Sequence, residues 1–405
     1  MPARRNPSRP DIYRFFATAG KGLEPIVADE LRALDAANVK EERGGASFEG
    51  PPAIAYRACL WLRAANRVLY PIAKFKAADD AALYAGIRQM PWERDVSPDG
   101  SLAVQFNGTA TGITHTQYGA QRVKDAVVDR LREQFGRRPN VDRERPDLLI
   151  NCHLHRDIAT VSIDLSGDSL HLRGYRVESV AAPLKENLAA ALLLKCGWPE
   201  IAKQGGSFAD PLCGSGTLVM EAALIAGDIA PGLWRDHWGF SRWLRHDAET
   251  WETLLHEARQ RKNTGLNKLP VILGFDQDGK AIETAQQNAR AIGLGNVAQF
   301  RKVALAANRL PPRLRPGLVV TNPPYGERLG EVETLGPLYA GLGSWLKNQC
   351  LGWKAGVITS NPELGKQIGI RARKLNAFYN GALECKLLQF DVTPEWFMKD
   401  KPVAS

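Results

Sequence analysis

No stretch of this chain approaches the roughly 18 consecutive apolar residues that a membrane-spanning helix needs. Its longest apolar runs, such as Leu188–Leu194, suit a helix inside a soluble core. Cysteine is scarce, with six residues at positions 59, 152, 196, 213, 350 and 385 and no Cys-x-x-Cys pair among them. That spacing signals neither a zinc cage nor a disulfide framework, and it suits a reducing compartment. Cys152-His153-Leu154-His155 comes nearest to a ligand cluster, but on a strand Cys152 and Leu154 face one side and the two histidines the other. No metal is expected. The segment Met1–Pro10 is basic, broken by proline and followed by no apolar run, so it reads as a frayed cytosolic tail rather than a leader. A cytoplasmic protein with no membrane association is expected.

What is present is an ordinary globular composition: 44% hydrophobic and 24% charged residues over 405 positions, enough for two or three domains with their own cores. Disordered and collagen-like classes are excluded. Fifty-three Lys and Arg against 44 Asp and Glu leave a net charge of +9, which favours a polyanionic partner such as nucleic acid. Basic residues gather in the N-terminal half, at Arg57, Arg63 and Arg67 and again between Arg122 and Arg145. Phosphate contacts are expected there, with Lys124, Arg137 and Arg138 singled out, although the Arg137-Arg138 pair reads equally well as solvated charge.

Arg14–Thr18 has the pattern of a strand, and Glu24–Leu34 repeats apolar residues at helical intervals. A second helix is expected from about Ala53 to Val68, and Ser101–Asn107 alternates like a strand. Gln121–Phe135 is an amphipathic helix stopped by Gly136, and two strands, Asp147–His155 and Ile158–Asp164, form a hairpin across Arg156-Asp157. Residues 1–165 are thus expected to form a basic α+β region. After the glycine- and serine-rich connector 166–182, strands alternate with helices, the signature of an α/β, doubly wound parallel sheet.

Chemistry concentrates at three strand ends of this second region. Ser207–Ala226 reads as a short strand, a Gly-x-Gly turn at Gly214 and Gly216, and an apolar helix. The glycines let the backbone approach a ligand, and Asp210 at the strand tip is placed to hold a cationic ammonium. Val219 stands where a dinucleotide fingerprint has its third glycine, and there is no P-loop, so a phosphate ligand is disfavoured. Pro270–Asp276 is a buried strand whose terminal carboxylate suits two ribose hydroxyls. Gly317–Tyr325 is a strand leading into Asn322-Pro323-Pro324-Tyr325. There the prolines stiffen two acceptors, the Asn322 amide oxygen and the Pro323 carbonyl, that suit an NH2 group, with Tyr325 stacking on a base. A plain glycine turn, an Asp276 that caps the following helix and a merely rigid loop remain the bland alternatives for each piece taken singly. The order of the three, each at a strand's C-terminal end, favours a site.

Asp210-Pro211-Leu212-Cys213-Gly214-Ser215-Gly216-Thr217, Gly274-Phe275-Asp276 and Asn322–Leu329 resemble the motifs of class I S-adenosylmethionine-dependent amino-methyltransferases. Asn322–Leu329, Asp164–Arg176 and Lys185-Glu186-Asn187-Leu188 closely resemble the RlmL type, whose members methylate guanine N2 in 23S ribosomal RNA. The resemblance covers nearly the whole chain. It implies a ferredoxin-like part at 1–55, a THUMP RNA-binding domain at 56–165, the linker at 166–182 and a Rossmann-like methyltransferase domain at 183–405. By position, Asp210, Gly214 and Gly216 would hold the methionine part of S-adenosylmethionine and Asp276 its ribose, with Pro211, Cys213, Ser215 and Thr217 also in the cofactor site. Asn322 would stand beside both cofactor and base, with Pro323, Pro324 and Tyr325 completing the base site. Larger members carry a second methyltransferase domain; this sequence ends at Ser405 without one, so a second modification is expected to need another protein.

Two departures stand out. Arg301-Lys302-Val303-Ala304 has no acid where the family usually contacts the adenine amine, and about 60 residues rather than roughly 20 separate Gly216 from Asp276. The excess, 228–268, holds Trp234, Trp238, Trp243 and Trp251, which either stack on nucleotides or pack a helical insertion; packing is the preferred reading. Guanine-N2 methylation of 23S rRNA is the expected activity. Its alternatives are the same reaction on tRNA, protein-glutamine N-methylation, and an RNA assembly factor with a vestigial cofactor site.

Overall fold

The structure, a computed structural model, describes residues 12–110, 112–176, 184–326 and 331–398, with only the backbone of 331–333. The basic tail, residues 177–182 of the expected connector, Pro183 and Glu327-Arg328-Leu329 lie outside the described residues. The chain forms two compact units. One comprises the chain up to residue 19 with 27–170 and 235–256, the other 20–26, 171–234 and 257 onward.

The first unit is built on β1 (Tyr13–Ala19), α1 (Glu24–Ala33), β2 (Ala37–Glu42), β3 (Gly45–Gly50), α2 (Pro52–Trp61), β4 (Ala65–Lys76), α3 (Asp80–Arg88), β5 (Ser101–Gly108), α4 (Thr116–Phe135), β6 (Asn140–Val141), β7 (Leu148–His155) and β8 (Ile158–Asp164). Its strands make one sheet in the order β2-β3-β1-β4-β8-β7-β5-β6. β4 is the seam: it pairs with β1 at its start and with β8 from Leu69 to Lys76, so both α+β motifs share a sheet. The β4–β8 register slips between Pro71 and Ala73, where proline has no N–H to give the ladder.

The helix expected over 53–68 is shorter, ending at Trp61. The backbone N–H groups of Arg63 and Ala64 donate to the two carboxylate oxygens of Glu30 at 2.8 and 2.9 Å, and Ala65 onward joins the sheet. Such long-range capture outweighs a few residues of helical pattern. α4 ends as expected on Gly136, whose φ of 67° and N–H to the Arg132 carbonyl make a left-handed cap. Arg156 and Asp157 both take positive φ, as the two-residue β7–β8 turn requires.

Residues 235–256, although they fall in sequence between elements of the second unit, pack within the first. Trp238, Trp243 and Trp251 are buried. The Phe240 ring lies 4.4 Å from Tyr56 and 4.9 Å from Trp251, and Trp243 Nε1 donates to the buried Asp95 carboxylate at 2.8 Å. Packing therefore accounts for these three; Trp234, in the second unit, carries the Lys262 ammonium over its ring.

The second unit contains α5 (Glu186–Lys195), α6 (Trp198–Lys203), β9 (Phe208–Asp210), α7 (Thr217–Ala226), the second half of α8 (Ala248–Leu266), β10 (Ile272–Asp276), α9 (Gly279–Ala291), β11 (Ala298–Lys302), β12 (Leu318–Thr321), α10 (Glu331–Gln349), β13 (Lys354–Thr359), α11 (Pro362–Gln367), β14 (Lys374–Asn380) and β15 (Leu383–Asp391). The sheet order is β11-β10-β9-β12-β13-β15-β14, parallel from β11 to β13 and antiparallel at β15. This is the expected α/β Rossmann-like fold. One core runs from Leu273, Phe275 and Val319 of the strands to Leu342, Trp345 and Leu346 of α10. β9 lies between β10 and β12, so chain order reverses across it, and ligands of such sheets bind at the C-terminal strand ends beside that reversal.

Trp251→Ala should lower the stability of the first unit by about 3–5 kcal/mol, the usual cost of emptying a buried tryptophan site, as read by thermal unfolding. Loss of nucleic-acid affinity without loss of stability would instead make these rings a stacking platform.

Candidate active site

β9 is three residues long and fully buried, and it delivers Asp210 to the reversal point at 1% exposure. Among the described residues no cationic side chain pairs with this carboxylate. Burial pushes its pKa up to about 7, and the charge of Asp276 adds to that rise. The buried Thr321 hydroxyl, which makes no well-formed hydrogen bond, and the Leu212 N–H at 3.1 Å oppose it. A buried acid with no cation is costly unless neutral or met by a cation from outside.

The turn after β9 is strapped to the end of β10. Cys213 N–H donates to the Phe275 carbonyl at 2.8 Å and Gly214 N–H to Asp276 Oδ2 at 2.9 Å. Gly214 and Gly216 have φ of 52° and 84°. A Cβ on Gly216 would lie 2.9 Å from the Phe300 ring, whereas one on Gly214 would meet open space. The turn thus presents its Gly214 side to an opening and packs its Gly216 side on β11. Pro211, Cys213, Ser215 and Thr217 are all buried; the Ser215 carbonyl accepts from Asn288 Nδ2 at 3.2 Å. Burial drives the Cys213 thiol well above its ordinary pKa, which fits a packing role rather than a nucleophile.

Asp276 does not cap α9. That position belongs to Asp278, whose side chain accepts from Lys280 N–H, while Asp276 Oδ1 accepts from Asp278 N–H at 3.0 Å. Each Asp276 oxygen keeps a further lone pair for a hydroxyl donor. Beyond β11, Val303 N–H donates to the Asp276 carbonyl at 2.8 Å, and no carboxylate stands in the Arg301–Ala304 run.

β12 ends at Thr321 and hands on to Asn322, half-buried, then buried Pro323, exposed Pro324 and Tyr325 at 9% exposure. The Tyr325 ring is turned inward. Its hydroxyl donates to Asn322 Oδ1, taking one of the two lone pairs of the acceptor expected to receive a base amine. Burial, then the neighbouring Cys385, raise the Tyr325 pKa, so the phenol is neutral. The Tyr339 hydroxyl lies 3.1 Å from both the Pro324 carbonyl and Thr359 Oγ1, which fixes the turn from below. Asn322 Oδ1 keeps a second lone pair to which an incoming N–H donor can bond.

Sequence reading gave no role to Arg176 and Glu186, although both lie in the quoted motifs. Arg176 Nε donates to Glu186 Oε1 at 2.9 Å, and its Nη2 to Thr217 Oγ1 at 3.3 Å and to the Leu184 carbonyl at 3.2 Å. A half-buried arginine held by a buried glutamate thus braces the first residue of α7. Beside it Arg173 and Glu221, both buried, are 3.4 Å apart, and the Tyr175 hydroxyl donates to Glu221. The signal available in sequence was charge placed next to an apolar helix, which burial forces to find partners.

In the first unit, Lys124 and Arg138 line one cavity of about 460 Å³ together with Arg122, Arg132 and Tyr84, and with Asp125 and Asp129, which pair with Lys124 at 2.6 Å and with Arg132 at 3.8 Å. Arg137 is not part of it; its guanidinium pairs with Asp99 at 2.7 Å.

Residues 173–389 match the RMKL-like methyltransferase domain, 14–69 the RlmL ferredoxin-like domain and 77–164 the THUMP domain. The chain belongs to the RMKL-like methyltransferase family. Among relatives of this member, the ribosomal RNA large subunit methyltransferase K/L of Syntrophotalea carbinolica is 56% identical over 96% of this chain and 55% of that protein. Its namesake from Methylococcus capsulatus is 53% identical over 95% and 52%. The chain spans about half the length of the curated relatives it matches. Among solved structures, the putative methyltransferase SMU.472 complexed with SAH aligns at a TM-score of 0.83 and 31% identity over 97% of this chain and all of that one. A predicted N6-adenine-specific DNA methylase from Listeria monocytogenes aligns at 0.82 and 34% over 94% and 96%. The described helices include none long and apolar enough to cross a membrane.

Gly216→Ala should destabilise the second unit by about 2 kcal/mol or more, since strain at positive φ adds to the clash with Phe300, and Gly214→Ala by only about 1 kcal/mol. Thermal unfolding of the two variants checks the order; equal losses would contradict the assignment of the open side to Gly214.

Proposed function

We propose that this chain transfers a methyl group from S-adenosylmethionine to the exocyclic N2 of a guanine in 23S ribosomal RNA, in the cytoplasm. The observation that carries the cofactor is the buried, cation-free Asp210 beside an open glycine turn. The residues present fit that group: Asp210 meets an ammonium, the Gly214 side leaves room for the methionine chain, and Asp276 accepts from ribose hydroxyls. When bound, the cofactor would supply a sulfonium-activated methyl and leave as neutral S-adenosylhomocysteine, so the protein's task is orientation and electrostatics.

Asn322 Oδ1 and the Pro323 carbonyl would accept hydrogen bonds from the two amine N–H groups and so turn the nitrogen lone pair toward the methyl. Tyr325, released from Asn322, then covers the base face. The proton lost by the methylated nitrogen leaves to solvent. Such a pocket admits only an unpaired or flipped base. Ribosomal RNA is favoured by the similarity to enzymes named for it. RNA in general is favoured over a protein amide by the basic cavity at Lys124 and Arg138. All six cysteines are buried free thiols, which suits the cytoplasm.

The test is nucleoside mass spectrometry of ribosomal and transfer RNA from cells with and without the gene, with add-back of purified protein. Loss and restoration of N2-methylguanosine in 23S RNA is expected; its appearance in tRNA alone would move the substrate, and no change anywhere would overturn the reading. Asn322→Ala should cut transfer by about 100-fold or more while cofactor affinity stays near that of the parent. Equal loss of both would remove Asn322 from the base site.

A further inference from the structure

The parallel strands of the second unit begin at Phe208, Leu318 and Lys354, at the sheet edge opposite Asp210, Asp276 and Asn322. A cavity of about 240 Å³ opens at this far edge, and four cations line it: Lys195, Lys354, Arg373 and Lys374. Only Arg373 is neutralised, by Asp391 at 2.9 Å. Among the described residues none of the three lysines has an ion-pair partner.

Folding explains one of them. Lys195 ends α5, where helix carbonyls attract a cation. Lys354 and Lys374 open two strands, where no such attraction acts, yet all three lysines line one hollow. Like charges so arranged repel one another and favour an anion between them. The apolar floor, Leu318, Ala355 and Phe390, is buried to 2% exposure or less, so there is neither an open ring for a base nor an apolar anchor for a protein partner.

We infer that this cavity holds backbone phosphate of the RNA substrate, a contact on the methyltransferase unit separate from the catalytic site and from the N-terminal basic cavity. The inference rests on the RNA reading above. It assigns Lys195, Lys354 and Lys374 to positioning the RNA without reading its sequence. Turnover of RNA already bound should therefore be unaffected.

The test compares the triple variant Lys195→Ala, Lys354→Ala, Lys374→Ala with a charge-matched control, Lys40→Ala, Lys268→Ala, Lys366→Ala. Binding of protein-free 23S RNA is measured against salt, with methyl transfer at low and saturating RNA. The triple variant should bind roughly tenfold or more weakly at moderate salt and lose about two from the salt slope, with kcat retained and KM raised; the control should change far less. Retained S-adenosylhomocysteine affinity verifies the fold. If the triple variant fails that check, the single Lys374→Glu change on the edge strand β14 takes its place. A variant that matches the control overturns the inference while leaving the proposed function intact, even if it loses an acidic protein partner instead. A parent protein that neither binds nor methylates RNA overturns the proposed function, and this inference with it.

Discussion

A carboxylate taken out of water without a cation is the constraint on which the rest of this molecule depends. Asp210 sits at the end of the short buried strand β9, where chain order reverses between the parallel strands β10 and β12. Its neighbours supply one backbone N–H and one nearby hydroxyl, too little to keep it ionised as firmly as an exposed acid. The turn that follows it faces open space on its Gly214 side. The bond from Gly214 N–H to Asp276 then ties that opening to the next strand, so the two acids and the turn form one frame. Asn322 enters the frame through Thr321, which shares the buried space with Asp210. The frame is braced by Arg176 and Glu186, whose partners are the start of α7 and each other.

The first unit answers a different demand. Its sheet is continuous because β4 is long enough to serve two α+β motifs, and its aromatic cluster is completed by residues 235–256, which sequence order assigns elsewhere. The burial of Trp238, Trp243 and Trp251 ties that excursion to a packed core. An insertion so anchored is constrained by the unit it packs in as well as by the elements that flank it in sequence.

Local pattern made much of this legible. The glycine turn, the helix Gly279–Ala291, the Gly136 cap and the β7–β8 hairpin each depend on residues close together in sequence. The fold class followed from alternating strands and helices, and the three candidate segments lie at strand ends, as their local pattern suggested. What stayed hidden was non-local. Glu30 ends the helix after Trp61 from 33 residues away. Tyr325 turns inward because Asn322, Tyr339 and Cys385 make a polar niche assembled from separate elements. Arg137 meets Asp99 across 38 positions and leaves Lys124 and Arg138 to line the basic cavity without it.

The most direct measurement is calorimetric titration of S-adenosylmethionine into the protein between pH 5.5 and 7.0, below the range in which an α-amine titrates. With the Asp210 pKa raised to about 7, the carboxyl is mostly protonated at the acid end and half-ionised at the neutral end. The cation of the ligand pairs only with the ionised form, so affinity should rise about tenfold across the interval, with protons released on binding. Asp210→Asn should bind weakly and without that slope. Tight binding that ignores pH, or that survives the Asp210→Asn change, would contradict the claim that this buried carboxylate is what receives the cofactor.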